Sequence, residues 1–218
     1  LLNRYLGLRG FSNSKAMLLY GAIGEAAGCG KTIRRCERII RKYRGIPVGR
    51  TPGKKWYHKR FQLPYLRNSL WEAGYGIDTL ETAVPWDRVS DMVQGIETAL
   101  TGAITPFQER ISVFTHLSHI YRTGSSIYTT YLFRLGRTAE ETLEKWRQLK
   151  CSASDAIVKN CGTISHQHGI GTDHLSYLPD EKGEQGIQAI GRFLETFDPD
   201  GIMNPGKLIS GQLPGWEV

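Results

Sequence analysis

Two long segments with alternating apolar and polar residues, joined by a three-residue link, constrain the fold of this chain most strongly. They run from Ile111 to Tyr121 and from Ser125 to Leu135, with Arg122-Thr123-Gly124 between them. A repeat of two residues is the side-chain spacing of a β-strand, and a short link that contains glycine is typical of antiparallel neighbours. The sequence therefore predicts a β-hairpin.

The rest of the chain mixes another strand with helices, without a regular strand–helix–strand rhythm. A third alternating segment covers Gly76–Val84, and a helix is predicted over about Pro85–Leu100. A capping box at Thr138 begins a long helix to about Lys159, and a last helix covers about Glu181–Phe197. This order predicts an α+β fold, in which an antiparallel sheet carries helices over one face.

The second hairpin strand has an apolar face and a mixed face. The apolar face is predicted to be core and carries Ile127, Thr129, Tyr131, Phe133 and Leu135. The mixed face carries Ser126, Tyr128, Thr130 and Leu132, and the first hairpin strand presents Ser112, Phe114, His116 and Ser118 in the same way. A phenol between two hydroxyls is expected where a sheet borders a wet cavity. Tyr128 is therefore a candidate site residue, with an ordinary tyrosine of an amphipathic sheet as the alternative.

The stretch Cys161–Gly171, which reads Cys-Gly-Thr-Ile-Ser-His-Gln-His-Gly-Ile-Gly, has the composition of a binding site. In an extended segment, His166 and His168 point to one side and Gln167 to the other. The glycines that follow allow a sharp turn and the close approach of a flat ligand. Both histidines are predicted to reach one cleft, and a surface loop with two solvated histidines is the alternative. No metal site is expected at His166, His168 and His174, because this spacing lacks a suitable carboxylate or cysteine companion.

The N-terminal part imitates a phosphate-binding loop. A predicted strand over Lys15–Ile23 and a glycine-rich bend lead into a helix predicted over Lys31–Arg44, with Gly-Cys-Gly-Lys-Thr at the junction. The motif requires a glycine where this chain has Glu25, whose carboxylate would repel phosphate. We therefore expect a turn and no ATP or GTP binding.

Arg67 is a second candidate site residue. It follows Pro64, which divides a basic, aromatic-rich helical region, and its neighbours are Tyr65, Leu66, Leu70 and Trp71. An arginine in apolar surroundings usually meets an anion. Arg67 could therefore bind an anionic substrate, and a structural salt bridge is the alternative.

Charge and composition exclude several classes of protein. The net charge is +7, but the basic residues form no block and no nucleic-acid-binding motif, so no nucleic acid partner is expected. Four cysteines in a chain of this size argue against a disulfide scaffold and favour a reducing compartment, and the absence of a Cys-x-x-Cys pair argues against a zinc knuckle. No apolar run approaches the length of a membrane span. We expect a cytoplasmic location, and the start at Leu1 without methionine predicts a piece of a longer protein.

Three segments together resemble one enzyme family. Thr163-Ile-Ser-His-Gln-His-Gly-Ile-Gly171 and Asp198-Pro-Asp-Gly-Ile-Met-Asn-Pro-Gly-Lys-Leu208 look like the C-terminal signature of FAD-linked oxidases of the vanillyl-alcohol-oxidase type. Glu81-Thr-Ala-Val-Pro-Trp-Asp-Arg-Val89 resembles the alkyldihydroxyacetonephosphate synthase branch in particular. The similarity runs from Arg4-Tyr5-Leu6 onward.

The resemblance implies a fold and a division of the chain. Residues 1–178 would form a cap domain, whose ferredoxin-like antiparallel sheet roofs the flavin ring. Residues 179–218 would form a C-terminal helical tail that packs on an FAD-binding domain absent from this chain. The implied cofactor is FAD, held mainly by that absent domain. The implied partner is a small-molecule or lipid-phosphate substrate, while a homodimer and a peripheral membrane contact stay open.

The resemblance also implies roles for individual residues. The family's active-site tyrosine falls on Tyr128, where it would exchange protons with the substrate. Its active-site arginine falls on Arg67, which would bind a phosphate or a carboxylate. Its histidine run falls on His166 and His168, which would contact flavin or substrate oxygens. The implied cofactor-binding residues are His166, His168, Gly169 and Asn204.

One departure from the family pattern leaves the reaction open. Synthases of this type usually carry three consecutive histidines, and Gln167 replaces the middle one. Glutamine can form hydrogen bonds but cannot shuttle a proton near neutral pH. The implied reaction exchanges the acyl chain of acyl-dihydroxyacetone phosphate for a fatty alcohol. The alternatives are FAD-linked oxidation of a hydroxy acid or alcohol, and a binding domain that is inactive without FAD.

Overall fold

The computed structural model describes residues 2–11 and 15–209. Its chain divides into two compact units, Leu1–Leu66 and Arg67–Val218. The division between residues 178 and 179 concerns docking on another domain, and it stays a prediction.

The first unit is helical in its regular parts. It contains α1 (Leu2–Leu8), α2 (Ala26–Lys42), α3 (Thr51–Lys59) and a 3-10 turn at Leu63–Tyr65. The strand predicted over Lys15–Ile23 is wrong, because these residues have no regular structure and Met17, Leu18 and Ile23 are exposed. An apolar run becomes a strand only where another strand can pair with it, and no described strand lies beside this one.

The apparent phosphate loop is part of a helix. Because α2 begins at Ala26 rather than at Lys31, Gly30, Lys31 and Thr32 lie inside it. Beyond the first turn of a helix, backbone N–H groups bond to carbonyl groups of the helix itself. These N–H groups are therefore not presented to a phosphate.

The second unit has the predicted α+β fold. After α4 (Leu66–Glu72), which starts at the boundary between the units, the elements are β1 (Tyr75–Pro85), α5 (Val89–Ile104), β2 (Ser112–Ile120), β3 (Gly124–Arg134), α6 (Ala139–Lys159) and α7 (Leu178–Phe197). The strands lie in the order β1-β3-β2, and both pairs are antiparallel. β2 and β3 form the hairpin predicted from the sequence. In the part of the chain that the structure describes, no helix has the length and apolar character that crossing a membrane requires.

Helices α5 and α6 pack on each other and against one face of the sheet. The core between them includes the fully buried side chains of Ile127, Tyr131, Met92, Ile96, Leu100, Leu149 and Ile157. The apolar face predicted for β3 is thereby confirmed as core. We call the opposite face of the sheet, which carries Glu81, His116, Ser126 and Tyr128, the open face.

An irregular segment takes the place of a fourth strand. The order β1-α5-β2-β3-α6 is that of a ferredoxin-like fold up to its last strand. Beside the free edge of β1, the N–H of Thr163 donates to the carbonyl of Ala83 at 3.3 Å, and the N–H of His166 donates to the carbonyl of Glu81 at 2.9 Å. The histidine segment therefore follows the edge of the sheet.

Close packing at the start of this segment requires Gly162. A Cβ atom there would lie 2.5 Å from Cε of Met92 and 2.5 Å from Oγ1 of Thr82. The same Oγ1 donates to the carbonyl of Thr163 at 2.7 Å. The absence of a side chain lets the chain leave α6 and pass directly beside β1.

Candidate active site

A row of three side chains crosses the open face. The strand register pairs Glu81 of β1 with Tyr128 of β3, and Tyr128 with His116 of β2. The rings of Tyr128 and His116 are stacked, with centroids 5.2 Å apart. Tyr128 therefore lies on the mixed face, as the sequence predicted.

The segment after α6 brings two imidazoles to this row by a sharp turn. Gln167 and Gly169 have positive φ angles of 61° and 78°, and the hydroxyl of Ser165 donates to the carbonyl of Gly169 at 2.7 Å. The extended geometry expected through Gln167 is wrong, because a left-handed residue reverses the direction of the backbone. His166 and His168 still reach the same group, which is the carboxylate of Glu81.

The Glu81 carboxylate is surrounded by three imidazoles, and its side chain is only 3% exposed. Its Oε1 atom lies 3.3 Å from Nδ1 of His119 and 3.3 Å from Nδ1 of His166. Its Oε2 atom lies 3.4 Å from Nε2 of His168. We call Glu81, His119, His166 and His168 the Glu81 cluster. Within the described ranges, no lysine or arginine forms an ion pair with Glu81.

The three imidazoles contact the carboxylate in different ways. Nδ1 of His119 has hydrogen-bond geometry toward Oε1, and it also lies 3.2 Å from Oγ of Ser126. Nδ1 of His166 is buried and has no hydrogen-bond partner among the described residues, although Oε1 of Glu81 is close. Distance alone does not make a hydrogen bond. A rotation of the His166 ring or of the carboxylate would complete this one.

The other ring nitrogen of His166 does have a partner. Oη of Tyr121 lies 3.0 Å from Nε2 of His166. The indole N–H of Trp86 donates to the carbonyl of Tyr121 at 3.2 Å, and the backbone N–H of Trp86 donates to the carbonyl of Thr123 at 3.2 Å. The Pro85-Trp86 segment therefore holds the end of the hairpin that carries Tyr121.

A β-bulge places His119 on the open face. The register of β2 against β3 shifts between Leu117 and Ile120. Strict alternation after His116 would put Ser118 on this face, which is what the sequence predicted. A bulge inserts one residue and re-aims the side chains that follow it. His119 consequently reaches the carboxylate.

Three of the predicted site residues come together. The ring of His168 meets that of Tyr128 edge to face, with centroids 5.3 Å apart and an interplanar angle of 79°. His166 lies near His119, with centroids 5.5 Å apart. Tyr128, His166 and His168 thus share one side of the sheet, around Glu81.

The other predicted residues lie outside these contacts. Arg67 is exposed on α4 and has no hydrogen bond or ion pair with any described residue, so the salt bridge considered as its alternative is not formed there. Asn204 is exposed in the segment after α7, with a positive φ of 50°. Gly169 lies in the histidine turn. The roles of these three residues stay predictions.

A polar network borders the site. Oδ2 of Asp78 accepts hydrogen bonds from Tyr131 at 2.9 Å, from Trp146 at 2.8 Å and from Lys150 at 3.1 Å. Burial raises the pKa of Asp78, but the charge of Lys150 and these hydrogen bonds outweigh it, so the pKa lies below its ordinary value. Burial, followed by the charge of Lys150, lowers the pKa of His174. Asp78, Lys150, His168 and His174 line one polar depression.

Glu181 fixes the histidine segment from the side of α7. Its Oε2 atom accepts the N–H of Ile164 at 2.7 Å, and its Oε1 atom accepts the hydroxyl of Thr163 at 3.1 Å. Burial raises the pKa of Glu181, but the hydrogen bonds from Lys182 and from Ile164 outweigh it and the pKa is lowered. The segment is therefore held on one edge by β1 and on the other by α7.

Two kinds of ligand fit this arrangement. Ligand atoms of Glu81, His119 and His166 lie within 4.8 Å of one another, a spacing that can hold a metal ion, and imidazole and carboxylate groups are ligands that Zn²⁺ takes. The rings of Tyr128, His116 and His168 suit a flat conjugated molecule. The buried Nδ1 of His166 has no hydrogen-bond partner among the described residues and offers a contact to a metal ion.

Sequence reasoning missed three residues of the site, which are Glu81, His119 and Tyr121. A carboxylate in the middle of an alternating strand is a signal that could have identified Glu81, because burial of such a group requires partners. No comparable signal exists for His119 and Tyr121, since a bulge controls their direction.

Comparison with known proteins gives one family. The model of the C-terminal domain of FAD linked oxidases matches residues 13–208. The alkyldihydroxyacetonephosphate synthase of Trypanosoma brucei brucei is 28% identical over 179 residues, which cover 80% of this chain and 29% of that protein. The glycolate oxidase subunit GlcD of Bacillus subtilis is 30% identical over 203 residues, which cover 91% of this chain and 40% of that subunit.

A solved structure shows the same fold. One structure of an alkyldihydroxyacetonephosphate synthase superposes with a TM-score of 0.58 at 20% identity, over 84% of this chain and 28% of that chain. The chain spans less than a third of the length of the synthases that it matches. Because the family model matches nearly the whole length of this chain, the chain belongs to the FAD linked oxidases, as their C-terminal domain.

Proposed function

We propose that this chain forms the substrate side of an FAD-dependent alkyldihydroxyacetonephosphate synthase. Such an enzyme exchanges the acyl chain of acyl-dihydroxyacetone phosphate for a fatty alcohol and releases the fatty acid. The observation that carries the proposal is the contact of Tyr128 with His168 beside the buried Glu81. The chain that holds this contact is similar in sequence to a synthase over 80% of its length.

FAD would be held mainly by an FAD-binding domain outside this chain. From this chain, His166, His168, Gly169 and Asn204 would contact it. The flat rings on the open face support this fit. When bound, the flavin supplies the redox-active ring at which the substrate carbon reacts.

The residues of this chain would handle protons and charge. The phenol of Tyr128, next to the imidazole of His168, can hold and transfer a proton at the substrate carbon. Oε2 of Glu81 lies 3.4 Å from Nε2 of His168 and would stabilise a positive charge on that ring. Arg67, whose guanidinium has no partner among the described residues, would bind the phosphate or the departing carboxylate.

A second candidate function is the FAD-linked oxidation of a hydroxy acid or alcohol. Two observations favour it, the replacement of the middle histidine by Gln167 and the similarity to a glycolate oxidase subunit over 91% of the chain. In that reaction Arg67 would bind the substrate carboxylate, and an imidazole of the Glu81 cluster would take the hydroxyl proton.

The test uses the chain assembled with its FAD-binding domain. Palmitoyl-dihydroxyacetone phosphate and radiolabelled hexadecanol are supplied, and labelled ether product and released palmitate are measured. We expect equal amounts of both, without lasting loss of flavin absorbance in the absence of oxygen. If the ether product is absent and glycolate or D-lactate bleaches the flavin anaerobically, the oxidase function replaces the synthase.

We further propose a cytoplasmic enzyme that meets its lipid substrate at a membrane surface. The support is α3, where Trp56 and Tyr57 are exposed beside Lys54 and Lys55. The protein should sediment with vesicles that contain anionic lipid, and Trp56→Ser should lower the fraction that sediments. An equal fraction sedimenting with neutral vesicles would contradict the proposal. Analytical ultracentrifugation of the same sample distinguishes a monomer from a homodimer.

A further inference from the structure

The Glu81 cluster contains a buried carboxylate whose ion-pair partners among the described residues are all imidazoles. The Glu81 side chain is 3% exposed, and these partners are His119, His166 and His168. A carboxylate removed from water is strongly unfavourable unless a cation or several hydrogen-bond donors compensate it. The three imidazoles are therefore the groups that can compensate this carboxylate within the described residues.

Two oxygens lie within hydrogen-bonding distance of the Nδ1 atom of His119. This nitrogen lies 3.3 Å from Oε1 of Glu81 and 3.2 Å from Oγ of Ser126. A ring nitrogen between two oxygens acts as a donor to them when it carries the proton. A protonated nitrogen cannot also coordinate a metal ion, so this contact favours hydrogen bonding over metal binding.

His166 is held between two oxygens of different character. Its Nε2 atom lies 3.0 Å from Oη of Tyr121, and its Nδ1 atom lies 3.3 Å from Oε1 of Glu81. A carboxylate beside one nitrogen and a phenol beside the other restrict the orientation of the ring. His168 approaches the second carboxylate oxygen by Nε2, on the side of Tyr128.

We propose that Glu81 is a positioning residue, whose buried carboxylate orients the rings of His166 and His168. The inference rests on the proposed function, since it assigns catalytic work to those two histidines. The titratable groups around the carboxylate are His119 of β2, Tyr128 of β3 and the two loop histidines. Tyr121, which follows β2, contacts His166. No comparable carboxylate was expected at this site from the sequence.

Nuclear magnetic resonance of the 218-residue chain tests the contacts of Glu81 with the histidines without any substrate. The ring nitrogens of all six histidines are labelled with ¹⁵N and followed in the wild type, in Glu81→Gln and in the control Glu97→Gln, which changes an exposed glutamate of α5. Glu81→Gln should change the signals of His119, His166 and His168 and leave those of His58 and His174 in place. Glu97→Gln should change none of them.

Signals of His119, His166 and His168 that stay unchanged in Glu81→Gln would overturn the inference. Stoichiometric binding of Zn²⁺ that is lost in Glu81→Gln would also overturn it, because the cluster would then be a metal centre.

The assembled FAD enzyme separates positioning from simple structural support. Glu81→Gln should lower kcat at least tenfold, leave KM within about twofold and shift the pH profile of kcat, while Glu97→Gln should leave all three unchanged. An equal kcat for both variants would refute the positioning role. If the histidine signals respond as expected but no ether product forms, the proposed function fails and the positioning contact of Glu81 remains.

Discussion

The Nζ atom of Lys150 on α6 lies 3.1 Å from Oδ2 of Asp78 on β1, and this contact joins the helical layer to the sheet. Trp146 and Tyr131 donate to the same oxygen. Asp78→Asn would leave the buried Lys150 without its counter-charge. We expect the free energy of unfolding to fall by about 2–3 kcal/mol in urea denaturation at neutral pH. The exposed control Asp200→Asn should change it by less than about 0.5 kcal/mol.

The same carboxylate predicts how stability depends on pH. Because the pKa of Asp78 is lowered in the folded state, its contribution is present above the unfolded pKa near 3.8 and is lost as the pH falls through the folded pKa. Between about pH 5 and about pH 3, the wild type should lose stability more steeply than Asp78→Asn. Parallel curves for the two proteins would show that the network does not hold the carboxylate ionised.

Two glycine-to-alanine changes should alter the free energy of unfolding in opposite directions. Gly162→Ala forces a Cβ atom against Met92 and Thr82, and we expect a loss of about 1–3 kcal/mol of unfolding free energy. Gly102 lies in α5, where a Cβ atom would have open space within 4 Å, so Gly102→Ala should add roughly 0.5–1 kcal/mol. Thermal unfolding of both variants checks this, and a stable Gly162→Ala protein would contradict the close approach to β1.

Replacement of Arg67 should weaken substrate binding without changing the stability of the fold. It is exposed and has no partner among the described residues, so Arg67→Ala should leave the melting temperature unchanged. If its guanidinium binds the substrate phosphate, KM in the assembled enzyme should rise at least tenfold, since charge-assisted bonds to phosphate are strong. Arg147→Ala, at an exposed position of α6, is the control. Equal KM values for both variants would remove Arg67 from the site.

The fold of the second unit was predictable because its signals are local. Alternation identified the hairpin and β1, and the Thr138 side chain accepts from the N–H of Glu141 at 3.2 Å, as the predicted capping box requires. The N-terminal strand failed because an apolar run such as Lys15–Ile23 does not reveal whether another strand will pair with it. Pairing depends on residues far away in the chain.

The site was predictable only in part for the same reason. Tyr128 could be assigned to the open face by counting along β3, and the histidine pair was identified by its neighbouring glycines. Their shared position beside Glu81 depends on which edge strand the segment after α6 packs against. The contribution of His119 depends on a register shift that alternation alone does not show.

Replacement of the Tyr128 hydroxyl tests the central claim most directly. In the assembled enzyme, Tyr128→Phe keeps the ring that contacts His116 and His168 and removes only the proton-carrying oxygen. General acid–base groups contribute about 10²–10⁴-fold to rate, so we predict that ether formation falls at least a hundredfold while the FAD content stays equal to that of the wild type. The exposed control Tyr43→Phe should retain full activity. Undiminished ether formation by Tyr128→Phe would contradict the account.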